Sequence, residues 1–149
     1  MLNCEMSRIT MKVSGKIAYS DLIQQTAESF LRVCGLSKRD SESLGLAIRE
    51  AYINAVKHGC RMDPSKMVKV CFSYKKDRLE AVVTDCGRGF NPKTIIDPTT
   101  HENRLRIEGR GIFIMRSLSD KVEFRRLKNE RGMVVKLIKK IPLEKKQSR

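Results

Sequence analysis

Three polar residues, Glu50, Asn54 and His58, recur at four-residue intervals in the segment EAYINAVKH. On an α-helix each four-residue step advances about 40° beyond a full turn, so the three side chains would lie in one stripe. A glutamate carboxylate can act as a general base, and an asparagine carbonyl oxygen is a ligand that Mg²⁺ accepts. The stripe therefore predicts a site for a hard cation and a polarised hydroxyl, with a solvated polar helix face as the alternative.

A second group of candidates, the segment DCGRGF, directly follows a strand-like run that ends at Thr84. The alternate glycines Gly87 and Gly89 allow the backbone to approach a flat ligand closely. A buried aspartate at a strand end, here Asp85, can accept a hydrogen bond from an amino group such as the exocyclic amine of adenine. The alternative is a glycine-rich turn that begins with an aspartate.

A third motif, GRGI, occupies residues 109–112 in front of a short apolar helix pattern. Glycines at a helix N-terminus leave backbone N–H groups free to bind phosphate oxygens. The spacing matches neither the dinucleotide motif G-x-G-x-x-G nor the phosphate loop G-x-x-x-x-G-K-[ST]. A lone G-x-G is weak evidence, and the alternative is an ordinary junction between a loop and a helix.

Hydrophobic periodicity predicts the elements that must position these motifs. We expect an α+β two-layer sandwich, in which helices cover one face of a mostly antiparallel mixed sheet. We expect a single domain over residues 1–149, with a core at about 8–140 and a basic tail at 141–149 that frays. The predicted elements are strands at 6–13, 67–74, 79–84, 122–127 and 133–138 and helices at 19–33, from the N-cap Ser37 to near Gly59, and 112–118.

The composition narrows the classes of partner. The 149 residues include 31 Lys and Arg against 17 Asp and Glu, a net charge of +14, which by itself favours nucleic acid or an anionic membrane surface as the partner. Only 5% of the residues are aromatic and Trp is absent, so the sequence offers few platforms for base stacking. No apolar run approaches the roughly 20 residues of a membrane span, and the first residues do not read as a signal peptide. We therefore expect a cytoplasmic protein that has no membrane association.

Five cysteines are present, an odd number, and no C-x-x-C pair occurs among them. This spacing favours free thiols in a reducing compartment over a zinc site or a disulfide framework. Cys86 is the exception to keep open, because it lies inside the DCGRGF motif. A redox role there is one reading, and a neutral packing residue is the other.

The order of the three motifs resembles that of the gyrase, heat-shock chaperone, histidine kinase and MutL-type (GHKL) ATPases. EAYINAVKH is similar to their N box, and DCGRGF and GRGI are similar to their two glycine boxes. Within that superfamily, the tracts LGLAIREAYINAVKHG and EGRGIFIMRSLSDKVEF resemble the small bacterial anti-sigma factors that are serine/threonine protein kinases. The resemblance covers roughly residues 8–140 and implies a histidine kinase-like ATPase fold.

The resemblance implies a role for each matching residue. Glu50 would be the general base, Asn54 would ligate Mg²⁺, and Asp85 would accept from the adenine amine. Residues 91–108 would form the lid over ATP. The residues that would bind ATP and its Mg²⁺ are Asn54, Lys57, His58, Asp85, Gly87, Gly89, Phe90, Gly109, Arg110, Gly111 and Ile112, of which Lys57, His58 and Arg110 are the nearest candidates for stabilising the transferred charge.

The resemblance also implies partners. We expect a homodimeric regulatory kinase that binds an RNA polymerase sigma factor in one state. In another state it phosphorylates a serine or threonine of an anti-sigma factor antagonist. The alternatives are a non-catalytic ATP-dependent protein-binding module of the same fold and, more distantly, a basic nucleic-acid-binding protein.

Two residues depart from the family pattern. Met133 follows Gly132 where a threonine often helps hold the nucleotide base, so one adenine contact is in question. Arg49 precedes the N-box Glu50, where small or acidic residues are common. Because neighbouring helical residues diverge by about 100°, we expect Arg49 to have little effect on Glu50.

Overall fold

The computed structural model describes residues 6–75, 77–87, 110–128 and 131–141. The predicted order of elements is confirmed within these ranges, and the predicted bounds differ from the observed ones by one or two residues. The predicted lid at 91–108 lies outside the described residues, as do residues 142–149 of the tail. In chain order the elements are β1 (Met6–Ser14), a 3₁₀ turn (Ile17–Tyr19), α1 (Ser20–Val33), α2 (Lys38–Asn54), a π-helical turn (Ala55–Gly59), β2 (Met67–Lys75), β3 (Arg78–Thr84), α3 (Arg110–Leu118), β4 (Lys121–Arg126) and β5 (Met133–Lys140).

The five described strands form one sheet in the order β1-β2-β3-β5-β4. Each described pairing is antiparallel. In the β2–β3 hairpin, Lys75 pairs directly with Arg78. The sheet places β1 at one edge, as predicted, and β3 in the centre, so the motif that follows β3 emerges from the middle of the sheet.

Strand alternation gives the sheet one apolar face, because successive side chains point to opposite sides. Val68, Val70 and Phe72 of β2 are buried on that face together with the apolar sides of α1 and α2. The Phe30 and Phe72 rings lie 6.0 Å apart between centroids. The helices therefore cover one face of the sheet, and the predicted two-layer α+β sandwich is confirmed.

Two local contacts fix the position of α2. At its start, the Asp40 N–H donates to Ser37 Oγ at 3.1 Å, which confirms Ser37 as the N-cap. Near its end, the buried Tyr52 hydroxyl lies 2.9 Å from the carbonyl oxygens of both Ser14 and Lys16 and shares its proton between them. Burial raises the pKa of Tyr52 to about 12. The buried side of the N-box helix is thus tied to the end of β1, which orients its polar side away from the sheet.

The other face of the sheet carries no helix among the described elements and is strongly basic. Cross-strand register places its charged side chains in neighbouring rows. Glu80 lies among them with a side chain that is 6% exposed, within 3.2 Å of Lys75 Nζ and 3.3 Å of Lys136 Nζ. The basic residues of this face are Arg8, Lys12, Lys69, Lys75, Arg78, Lys121, Arg125, Lys136 and Lys140. Much of the net charge therefore lies on the face of the sheet that the helices leave uncovered.

None of the helices in the described ranges combines the length and the apolar character that crossing a bilayer requires.

Candidate active site

The N-box helix and the third motif meet at Gly111. This residue is the second of α3, and a Cβ built on it would lie 3.0 Å from Glu50 Oε2 and 3.3 Å from Asn54 Nδ2. Both polar side chains belong to half-buried residues. The first N–H groups of a helix have no acceptor within that helix. The structure therefore places an anion-binding helix end directly against a carboxylate and an amide.

The last turn of the N-box segment is a π-helical turn, which sequence periodicity did not indicate. The Cys60 N–H donates to the Ala55 carbonyl oxygen at 2.8 Å, five residues back. The predicted extent of the helix, to near Gly59, is correct. The predicted alignment of Glu50, Asn54 and His58 assumes one regular α-helix. The π-helical turn has more residues per turn, so it changes the angle between the Asn54 and His58 side chains. Lys57 and His58 are exposed on this turn, and π-helical turns of this kind are frequent at functional sites.

The second motif forms a buried carboxylate site. Asp85 is 5% exposed, and its Oδ1 accepts the N–H of Gly87 at 2.8 Å and that of Met133 at 3.3 Å. Its own N–H donates to the Met133 carbonyl oxygen at 3.1 Å. Burial raises the pKa of the Asp85 carboxyl group, and the two backbone hydrogen bonds oppose that rise only in part. The side chain is therefore fixed in position by β5 and by its own turn.

Three glycines pack around Asp85. A Cβ on Gly59 would overlap the Asp85 carboxyl group, and one on Gly132 would overlap the Asp85 carbonyl oxygen. A Cβ on Gly87 would overlap the carbonyl oxygen of Gly59. The end of the N-box segment, the first glycine box and the final hairpin therefore meet at distances that only glycine allows.

The two carboxylate oxygens of Asp85 differ in their hydrogen bonds to the described residues. Oδ1 receives both backbone hydrogen bonds, whereas Oδ2 accepts none from the residues that the structure describes. A fixed, buried carboxylate oxygen next to side-chain-free backbone suits a planar ligand that carries an amino group. The residues present thus fit the adenine contact that the resemblance implies.

Sequence reasoning did not predict that three residues, Gly59, Gly132 and Met133, hold Asp85 in place. The glycine that ends the N-box segment was a usable signal. The departure from the family pattern drew attention to Met133, but it did not indicate that the backbone of this residue holds Asp85. Its side chain is 2% exposed, so the absence of a threonine there leaves the backbone support of Asp85 intact.

The remaining predicted site residues divide into two groups. Arg110 begins α3 and is exposed, whereas Ile112 is buried in the hydrophobic core. Gly89, Phe90 and Gly109 lie outside the described residues. The structure therefore brings Glu50, Asn54 and Gly111 together at one point and Asp85 and Gly87 at another, joined by the π-helical turn.

The Arg49 side chain turns away from Glu50, as expected. Its Nη2 lies 3.2 Å from Asp21 Oδ1 at the start of α1. Arg49 therefore links α2 to α1 through an ion pair and is not directed toward Glu50.

Comparison with known proteins identifies the family. A sequence profile of the histidine kinase-like ATPase domain matches residues 13–139. The chain belongs to the histidine kinase-like ATPase domain family. The GHKL resemblance and the expected ATP-binding fold are thereby confirmed.

Individual relatives of this histidine kinase-like ATPase domain point to one activity. The chain is 32% identical over 143 residues to the serine-protein kinase RsbW of Staphylococcus epidermidis, covering 91% of this chain and 88% of the relative. It is 31% identical over 140 residues to RsbW of Bacillus subtilis, covering 88% of this chain and 84% of the relative. The prediction of an ATP-dependent protein serine/threonine kinase is confirmed by these relatives.

A solved structure shows the same fold. The RsbU and RsbW domains of a Mycobacterium tuberculosis protein match with a TM-score of 0.65 at 17% identity, over 91% of this chain. The chain spans about a third of that structure's length, 33%. At this identity the match supports the arrangement of strands and helices and nothing finer.

Proposed function

We propose that this chain is an anti-sigma factor kinase that transfers the γ-phosphate of ATP to a serine or threonine of an antagonist protein. The observation that carries the proposal is the contact of Gly111 with Glu50 and Asn54. It brings a candidate base, a candidate metal ligand and a phosphate-binding helix end to one point. Phosphoryl transfer depends mainly on such positioning and on neutralising charge.

Asp85 is assigned to the adenine end of ATP. Its Oδ1 is held by the backbone N–H groups of Gly87 and Met133, which leaves Oδ2 to accept from the exocyclic amine. Gly59 and Gly87, which pack around it, present backbone without side chains beside this carboxylate. Gly89 and Phe90 are assigned to the same pocket by family resemblance.

Asn54 is assigned to Mg²⁺ at the phosphate end. Within the described ranges, no cluster of three or more His, Cys, Asp and Glu could hold a metal. Mg²⁺ commonly uses one or two protein oxygens together with water and substrate phosphates, so a site built around one amide fits this ion. When bound, it neutralises phosphate charge. Gly109, Arg110 and Gly111 are assigned to the phosphates, and the exposed Lys57 and His58 to the charge that develops during transfer.

Glu50 is assigned as the general base. Its carboxylate lies against the start of α3, where the transferred phosphoryl group would be held. From that position it would accept the proton of the attacking serine or threonine hydroxyl. Its task is to orient the hydroxyl and to receive its proton as the new P–O bond forms.

The activity is tested by incubating the purified chain with γ-labelled ATP, Mg²⁺ and a candidate antagonist protein. We expect label on a serine or threonine of the antagonist, and none on an antagonist whose acceptor residue is replaced by alanine. Saturable ATP binding without transfer to any candidate would contradict the proposal. That result would favour the alternative, a non-catalytic module in which ATP only changes how the chain binds a partner protein.

The partners follow from resemblance and from charge. We propose that the chain is a single cytoplasmic domain that forms a homodimer and binds a sigma factor and its antagonist. Its basic sheet face suits partners with acidic surfaces, and such association slows as salt rises. Copurification with and without ATP tests the partners, and sedimentation tests the dimer. Retention of nucleic acid on a filter at about 50 mM salt, where phosphate contacts are strong, would instead support the nucleic-acid alternative.

A further inference from the structure

Two cysteines meet beneath the site, and the proposed phosphoryl transfer uses neither of them. Cys60 directly follows the π-helical turn and is fully buried. Cys86 follows Asp85 and is exposed. The close packing of Gly59 against Asp85 and Gly87 makes the two cysteines neighbours, and both residues carry free thiols.

The two thiols differ in their access to reagents. Burial, together with the neighbouring Cys86 and Asp85, raises the pKa of Cys60 to about 11. Cys60 is therefore protonated near neutral pH and closed to solvent. Cys86 is open to solvent and is the thiol that a dissolved oxidant reaches first. An exposed thiol beside a buried second thiol is the arrangement of an attacking and a resolving cysteine.

We propose that Cys86 and Cys60 form a peroxide-sensitive thiol pair whose disulfide weakens ATP binding. The pairing itself follows from the proximity of the two residues. Its effect on the nucleotide rests on the proposed function, in which Asp85 holds adenine.

The reaction balances with hydrogen peroxide as the oxidant. The Cys86 thiolate attacks one peroxide oxygen, an S–O bond forms, the O–O bond breaks, and the departing hydroxide takes a proton to leave as water. The Cys60 sulfur then attacks Cys86 Sγ, so that an S–S bond forms and the S–O bond breaks. The Cys60 proton leaves with the hydroxide as a second water. Two thiols lose two electrons in total, and one peroxide is reduced to two waters.

The effect on ATP follows from the neighbours of Cys86. A disulfide requires an S–S distance of about 2.05 Å, which is much shorter than the separation of two sulfur atoms that are not bonded to each other. Closing that distance draws the turn at 85–87 toward Cys60. Asp85 and Gly87 flank Cys86 in that turn, and Asp85 Oδ1 depends on its hydrogen bond from Gly87. The bond therefore displaces the carboxylate assigned to adenine.

The test uses the full chain, first reduced and then treated with one equivalent of hydrogen peroxide. Peptide mapping without reductant is expected to show the Cys60 and Cys86 peptides joined, with the loss of two hydrogens. ATP affinity is expected to fall about fivefold or more, the equivalent of one weakened hydrogen bond, and to recover with dithiothreitol. Cys86→Ser should abolish both effects. Cys71→Ser, on the uncovered sheet face, is the matched control and should leave both unchanged.

The outcomes separate the two proposals. Joined peptides with an unchanged ATP affinity would overturn the effect on ATP. Oxidation of Cys86 to a sulfinic acid, or its pairing with a cysteine other than Cys60, would overturn the thiol pair. A reduced chain that does not bind ATP would overturn the proposed function, while the peptide map still decides the pairing. Cys60→Ala serves as a second variant and should leave Cys86 oxidised but unpaired.

Discussion

Gly111 lies against Glu50 so closely that a Cβ on the glycine would stand 3.0 Å from Oε2 of the glutamate. The two residues come from helices that are far apart in sequence, α2 and α3. Their contact joins the N box to the second glycine box. The phosphate end of the proposed site requires that residue 111 has no side chain, because a Cβ there would crowd Glu50.

Gly111→Ala tests that approach. We expect the fold to persist, because a Cβ at 3.0 Å from a side-chain oxygen needs only a small shift of Glu50. Phosphate transfer should fall by up to about tenfold, since a misplacement of about 1 Å costs about a hundredfold and this shift is smaller. Ser117→Ala, an exposed position near the end of the same helix, is the control. Unchanged transfer in Gly111→Ala would contradict the assigned role.

Asp85 predicts how ATP affinity depends on pH. Burial raises the pKa of its carboxyl group above the ordinary 3.8, and the adenine amine binds the ionised form. ATP affinity should therefore fall on acidification at a higher pH than an ordinary aspartate would cause. Calorimetric titration across a pH series measures this. A wild-type affinity that stays constant down to the ordinary carboxyl range would contradict it.

Asp85→Asn separates ATP binding from stability. Because the folded pKa is raised, ionising Asp85 destabilises the fold, and this loss grows as the pH rises through the folded pKa. Replacing the buried charge by an amide should therefore maintain or raise the thermal midpoint at neutral pH. ATP affinity should fall about tenfold or more, the loss of a hydrogen bond to a charged group. A lower thermal midpoint together with wild-type ATP affinity in Asp85→Asn would contradict both predictions.

Tyr52→Phe tests the anchor of the N-box helix. It removes the hydroxyl that lies 2.9 Å from the Ser14 and Lys16 carbonyl oxygens, so the free energy of unfolding should fall by about 1–3 kcal/mol. The folded pKa of about 12 exceeds the ordinary 10.0. Wild-type stability should therefore decline as pH rises between these values, and the variant should lack that decline. Denaturant titrations at neutral and alkaline pH decide the matter, and equal stabilities would exclude the anchor.

Glu80→Gln tests the ion pairs of the basic sheet face. Burial raises the pKa of Glu80, but the ion pairs with Lys75 and Lys136 outweigh burial, and the net pKa lies below the ordinary 4.5. Ionised Glu80 therefore stabilises the fold above the ordinary pKa of 4.5, and this stabilisation is lost as the pH falls through the folded pKa.

The expected loss in Glu80→Gln at neutral pH is about 1–2 kcal/mol, because the cationic partners are partly exposed and solvent screens them. The variant should also lose less stability on acidification than the wild type. Glu123→Gln, on the same face, removes an ion pair whose carboxylate is 42% exposed and should lower the unfolding midpoint less than Glu80→Gln does. If both variants behave alike, the burial of Glu80 has no energetic consequence.

Much of the fold could be predicted, because the spacing of apolar residues and the positions of the glycines indicate the same helices, strands and turns. Strand alternation in Met67–Lys75 and the N-cap at Ser37 both agree with the structure. The π-helical turn at Ala55–Gly59 could not be predicted, because one wider turn leaves the apolar spacing almost unchanged. Element bounds differ by a residue or two because cross-strand pairing, not local preference, sets where a strand ends.

The sequence predicted which residues belong to the candidate site, but it did not predict most of the contacts between them. The motifs indicated Glu50, Asn54 and Asp85 as polar groups in suitable places. The contact of Gly111 with Glu50 and the support of Asp85 by Met133 arise from tertiary packing and from the backbone, neither of which has a sequence signature. The proximity of Cys60 to Cys86 was equally hidden, since the two are far apart in the chain and share no motif.

The most direct test of the central claim is single-turnover phosphate transfer by Glu50→Gln at saturating ATP, with ATP affinity measured in parallel. The amide has nearly the same shape as the carboxylate but cannot accept the proton of the acceptor hydroxyl. The account predicts ATP affinity close to that of the wild type and transfer slowed about 10²- to 10⁴-fold, the usual contribution of a general base. Transfer at the wild-type rate would contradict the assignment of Glu50 and with it the proposed chemistry of the site.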